Sequence, residues 1–129
     1  MNDHQLKEKY YKNIKQHLDD WCGVAPTDAF FLSGHDYLTA LTESSAGGNG
    51  YYILSQQYVA AINNVCNGAL APSEVEDAIN KAMDLFNMYT PAEIGALQGD
   101  DPLRQMFIDA SETLDDFNNG RIGPGHCDD

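Results

Sequence analysis

Gly47-Gly48-Asn49-Gly50-Tyr51-Tyr52-Ile53-Leu54-Ser55-Gln56-Gln57-Tyr58-Val59-Ala60-Ala61-Ile62-Asn63-Asn64-Val65 is the stretch whose reading decides the fold. Glycines break the chain ahead of it. Leu54, Tyr58, Ala61, Ile62 and Val65 then recur at the three- and four-residue spacing of one helical face. Small residues on that helix predict close approach by neighbours, and its three tyrosines predict an edge of phenolic hydroxyls that need partners. The helix spans about 49–67 and Asn67-Gly68 stops it.

Upstream, Leu6, Tyr10, Ile14, Leu18 and Trp21 form a second stripe, predicting a first helix from about Asp3 to Trp21 with lysines on its far face. Gly23 and Pro26 end it. Residues 27–35, around Phe30-Phe31-Leu32-Ser33-Gly34, read as an extended or turn segment, after which Asp36 caps a brief helix through Leu41. Downstream, Ser73 and Glu76 have the spacing of a capping box for a helix burying Val75, Ile79, Ala82, Met83 and Phe86. Thr90-Pro91-Ala92-Glu93 repeats the signal with proline at the first helical position, opening a short helix that ends near Gly99. Asp101-Pro102 opens the last helix, where Leu103, Met106, Phe107, Ala110, Leu114 and Phe117 align before Gly120. The fold class is therefore all-α: a compact bundle of about five helices, with an extended or turn segment near 30–35. It forms a single domain over 1–129, of which 120–129 is an irregular Gly/Pro-rich tail.

Charge narrows the function classes. Twenty acidic residues face seven basic ones, a net charge of −13. Residues 1–18 carry four lysines against Asp3 and Glu8, a net of +2, which leaves −15 on residues 19–129. A body this acidic repels phosphate backbones and anionic lipid, so nucleic acid and membrane surfaces are not expected partners. No apolar run approaches the roughly 20 residues of a membrane span. Cys22, Cys66 and Cys127 include no C-x-x-C pair. They leave two states open: one disulfide with one thiol, or three thiols.

Three segments in the same order resemble a family of bacterial secreted and surface-associated proteins. The long helix resembles that family's G-G-x-x-Y-Y-I-L-A-H-Q-Y-I-A-A segment. Its G-Y-W-K-N-H-P opening corresponds to Lys9-Tyr10-Tyr11-Lys12-Asn13-Ile14-Lys15 followed by Trp21. Its L-D-x-Y-N-N-G and terminal G-H-C correspond to Leu114-Asp115-Asp116-Phe117-Asn118-Asn119-Gly120 and Gly125-His126-Cys127. Ile14, Lys15 and Gln56 stand where the family has histidine, proline and histidine, so no histidine chemistry carries over. The resemblance implies an extracellular or cell-surface module without established activity, from which an export signal has been removed. For such an exported chain, Cys127 is expected to be tied back to the body through Cys22 at the end of helix one. Cys66, lying in the helical stripe, is expected to be buried.

The remaining constellations are weighed against plainer readings. Tyr10, Tyr11, Tyr37, Tyr51, Tyr52, Tyr58 and Tyr89 suit an aromatic ligand surface, but at helical spacing they read first as core-edge residues. Asp115, Asn119 and His126 are the residues a calcium ion would use. However, Phe117 and His126 occupy positions that need oxygen donors, so a helix end capped by Asn119-Gly120 accounts for the stretch more simply. The adjacent acid pairs diverge by about 100° on a helix and do not converge for acid–base work. No phosphate loop, serine elbow or H-E-x-x-H spacing occurs. The sequence thus predicts a non-enzymatic module without a catalytic residue or cofactor, for protein contact, display or self-assembly. The alternative is a small ligand- or calcium-binding protein using Tyr and Asp/Asn side chains. The expected contact residues are Lys7, Lys9, Lys12 and Lys15, meeting the acidic body of another copy head to tail, together with Tyr51 and Tyr52.

Overall fold

The computed structural model describes residues 21–43 and 48–120. Five helices account for 64% of them: α1 (Tyr37–Thr42), α2 (Gly50–Cys66), α3 (Ser73–Met88), α4 (Pro91–Gly95) and α5 (Pro102–Asn118). This is the all-α bundle expected. The α2 helix is its axis, packing most extensively on α5 and also touching α1, α3 and α4, while α3 closes against α5.

The core follows from side-chain spacing. On α2, Tyr51, Leu54, Tyr58, Val59 and Ala61 are buried. They meet Val75, Ala82, Leu85 and Phe86 of α3 and Phe107 and Leu114 of α5. Each fully buried side chain of this size contributes about 1.5–3 kcal/mol. Met83, expected on the inner face of α3, is 39% exposed. The buried stripe runs Val75, Ala78, Ala82, Leu85, Phe86, and Met83 lies one residue off it toward solvent.

The helix starts divide into local and non-local cases. Thr90 and Glu93 form the expected capping box, with Pro91 in the first turn. Asp36 and Asp101 cap α1 and α5 through the amides of Thr39 and Leu103. Ser73 and Glu76 form no box. Pro72 is the N-cap, its carbonyl accepting from Val75 and Glu76, so Ser73 already lies inside the helix. Proline's fixed φ sets the entry geometry one residue earlier than the serine would. The α4 helix is shorter than expected, ending at Gly95 rather than near Gly99.

The segment predicted as extended or turn is a loop closed by one antiparallel bridge, Ala29 to Asp36. Phe30 N–H donates to the His35 carbonyl at 2.9 Å, and Tyr37 N–H donates to Asp28 at 3.0 Å. The closure drops Phe30, wholly buried, into a ring cluster with Tyr37 at 4.9 Å, Phe86 at 4.9 Å and Phe31 at 5.0 Å. Phe31 adopts φ +46°, a strained conformation for a bulky residue, and its ring is held against Phe86 at 5.3 Å. Asn119 and Gly120 end α5 as expected, with Gly120 at φ +74° and its N–H donating to Phe117.

The first helix predicted over 3–21 lies outside the described residues except for Trp21, which is not helical. The cysteine pairing differs from expectation. Cys22 bonds Cys66, with Cα atoms 5.6 Å apart, and not Cys127, which lies outside the described residues. Cys66 is the last residue of α2 and is exposed, turned about 100° from Val65 and therefore off the buried stripe. The Cys22 amide donates to Asn63 Oδ1 at 3.0 Å, laying the entering chain along the last turn of α2. Both cysteines are consumed in that bridge, so neither serves as a thiolate nucleophile.

Candidate functional site

A short glycine-flanked turn organises the site. Gly48, at φ +78°, turns its carbonyl toward α5, where Arg104 donates to it from Nε at 3.2 Å and from Nη2 at 3.0 Å. Arg104 Nη1 also donates to the Gly99 carbonyl at 3.3 Å. A cation in an acidic chain is thus committed to backbone oxygens that fix where α2 begins. Asn49 then does two things at once. Its Oδ1 accepts from Tyr51 N–H at 2.9 Å, capping α2, and its Nδ2 donates to the Pro91 carbonyl at 3.1 Å, tying α2 to α4 across 42 positions of sequence.

That tie holds α4 opposite the bridged loop and leaves an open groove of about 700 Å³ between them. Leu32, Ser33 and His35 form one wall, and Pro91, Ala92 and Ala96 the other, with Asn49 and Tyr52 between. Leu32 is 51% exposed at the rim. Ser33 Oγ accepts from the His35 amide at 2.9 Å and donates to the His35 carbonyl, so the loop wall is internally braced. No lining residue is an Asp, Glu, Lys or Arg.

Tyr51 does not line this groove but lies behind its Ser33 wall. It is wholly buried, packed on Phe86 at 5.0 Å and Tyr52 at 5.5 Å, and its hydroxyl has no hydrogen-bond partner among the described residues. The Ser33 side chain approaches the phenol closely enough to favour its ionised form slightly, without the geometry of a formed bond. Burial dominates and, with the neighbouring Tyr52, holds Tyr51 well above the ordinary phenol value. Tyr52 is raised by burial and then by Glu43, and Tyr58 by burial and then by Tyr37. These phenols stay neutral hydrogen-bonding groups across the physiological range.

The structure separates the residues singled out in the sequence. Tyr52 reaches the groove, but Tyr51, also expected as a contact residue, is a core residue. As the second residue of α2 it faces α3 and α5, about 100° from Tyr52. Lys7, Lys9, Lys12, Lys15 and His126 lie outside the described residues. Asn119 Nδ2 donates to both the carbonyl and the carboxylate of Asp115 at 2.8 Å, a helix-end arrangement. Among the described residues no three His, Cys, Asp or Glu side chains group as metal ligands. Asn118 ties α5 to the Gln57 carbonyl of α2 at 3.0 Å, and Gln56 Nε2 donates to the Glu43 carbonyl at the end of α1. Asn118 and Gln56 are therefore structural fasteners. The groove residues Ser33, Asn49 and Ala92 were missed as a site; the Thr90–Glu93 box marked only where one wall would start. No helix of the described residues is long and apolar enough to cross a membrane.

No family model, no curated protein and no solved structure matches the chain.

Proposed function

We propose that this chain is a non-enzymatic extracellular or cell-surface recognition module that engages its partner through the groove between the 29–36 loop and α4. The observation that carries the reading is the Asn49 bridge. Most helix caps need only the N–H groups of their own helix. Here one side chain caps α2 and also fixes a second element, and the product of that second bond is a preformed concavity. Preformed sites lose little ordering entropy on binding, which suits a small rigid module. The disulfide supports an oxidising location, because such bridges persist outside reducing compartments.

The test applies labelled, oxidised protein to cells and extracellular material of its source. Saturable binding is expected. It should be lost in Ala92→Trp, which fills the groove from an exposed position, and kept in Glu112→Gln, an exposed change on α5. Binding that survives Ala92→Trp with the helical spectrum intact would refute the groove as the contact site.

A further inference from the structure

We propose that the groove takes a neutral, hydroxyl-rich ligand of the carbohydrate class, with a sugar ring against Tyr52 and a ligand hydroxyl completing the hydrogen bonding of Tyr51 through the Ser33 wall. The inference rests on the recognition reading above and names the chemistry of the partner.

Three observations converge. First, the lining holds no carboxylate and no Lys or Arg, although the chain carries −13. A cationic partner would be met by carboxylates, and an anionic one would face repulsion from the acidic body without a compensating cation in the groove. A neutral ligand fits both facts.

Second, half of the groove's lining carbonyls are already spent. The carbonyls of Asn49, Thr90, Pro91 and Ala92 accept from Ile53, Ile94, Asn49 Nδ2 and Ala96, and that of His35 accepts from Phe30. Side-chain groups are occupied in the same way: Thr90 Oγ1 serves the capping box and Asn49 serves both helices. An extended peptide, which is read mainly through main-chain bonds, finds little here to pair with. Among the described residues, the lining side-chain groups without a hydrogen bond are the Tyr52 hydroxyl and the His35 imidazole, and the Tyr51 hydroxyl behind Ser33 has none either. Phenols and neutral imidazole both donate and accept, which is the hydrogen-bonding character of a sugar hydroxyl.

Third, Tyr51 retains a buried hydroxyl that makes no hydrogen bond within the described residues. Such a group is a cost to the fold unless something uses it. Its neighbour Ser33 lines the groove, and a ligand hydroxyl that replaced the two bonds by which Ser33 Oγ braces His35 would free that side chain to link ligand and phenol. Beside it the half-buried Tyr52 ring offers an apolar face to the C–H surface of a sugar.

The experiment titrates the full oxidised chain with short neutral glucan, chitin and mannan oligosaccharides at millimolar concentration. Amide and aromatic NMR shifts and calorimetry are the readouts. The proposal expects at least one neutral series to shift Ser33, His35 and Tyr52. Tyr52→Ala should weaken that binding about 10-fold or more, and Tyr51→Phe by about 2- to 10-fold, the range one hydrogen bond supplies. Tyr51→Phe should at the same time raise the melting temperature of the free protein, which loss of a merely structural contact would not do. Should Tyr52→Ala fail to fold, Tyr52→Phe, which keeps the ring and removes the hydroxyl, gives a smaller loss by the same assay. No shift with any neutral series would overturn the carbohydrate assignment, as would preference for a charged oligosaccharide or a peptide. The recognition reading would survive those outcomes if Ala92→Trp still abolished binding to the source material, and would fall with the assignment if it did not.

Discussion

Replacing Asn49 separates the two tasks the structure assigns to it. Asn49→Ala removes the α2 cap, the 2.9 Å bond from Tyr51 N–H, and the 3.1 Å bond to the Pro91 carbonyl. Loss of an N-cap costs about 1 kcal/mol. The bridge to Pro91 is partly buried, and losing it costs about 1 kcal/mol more. The alanine variant should therefore lose about 2 kcal/mol, a fall in melting temperature of roughly 7 °C for a domain of this size. Asn49→Ser keeps a capping oxygen but has no Nδ2 to reach α4, so it should lose only about half as much. Urea unfolding followed by far-UV circular dichroism measures both, provided the slope with denaturant is unchanged. An alanine variant within about 0.5 kcal/mol of the parent would refute the reasoning, because that is the scatter of ordinary surface changes. A serine variant as damaged as alanine would show that the cap contributes nothing.

Other expectations follow from the same contacts. A Cβ at Gly95 would sit 2.8 Å from Asn49 Nδ2, so Gly95→Ala should push the bridge apart and cost about 1 kcal/mol by the same assay, an effect absent in an Asn49→Ser background. Cys22→Ser should cost about 4 kcal/mol on the chain-entropy account of a bridge spanning 44 positions, and non-reducing peptide mapping should recover Cys22 with Cys66 rather than with Cys127. Burial raises Tyr51 and Tyr58, so the stability they confer is complete below about pH 10 and is lost as pH climbs through their folded values. Their phenolate absorbance should appear only together with loss of helix; titration of all seven tyrosines on an intact helical spectrum would contradict the burial. Asp36 is lowered, chiefly by the bond from the Thr39 amide, so its capping contribution is present above about pH 4 and lost as pH falls further. Acid fraying near α1, read by amide exchange at Thr39, checks the sign.

How far the sequence carried depends on the range of the interaction. The Thr90–Glu93 box and the Asp36 and Asp101 caps join residues three positions apart or fewer, and each formed as read. The Ser73–Glu76 signal is just as local, yet Pro72 pre-empted it. The inner stripe of α2 was legible because helical periodicity places Leu54, Tyr58 and Ala61 together whatever surrounds them. The different fates of Tyr51 and Tyr52 were not legible, since they depend on which direction α5 and α4 approach from. The Cys22–Cys66 pairing was missed for a similar reason: it requires knowing that the chain entering at Cys22 lies along the last turn of α2, a placement made by the Asn63 side chain. The groove is the least legible feature. Its walls come from a loop and a five-residue helix, and the bond that sets their separation links positions 42 apart.

The claim on which the functional account turns is that contact occurs in this groove. A photo-cross-linking residue placed at Ala92, on the α4 wall, and in a second protein at Glu112, exposed on α5, compares the two faces directly on source cells. The account predicts covalent adducts from position 92 that are competed by excess unlabelled protein, with none above background from position 112. Equal yields from both positions, or adducts from position 112 alone, would contradict it.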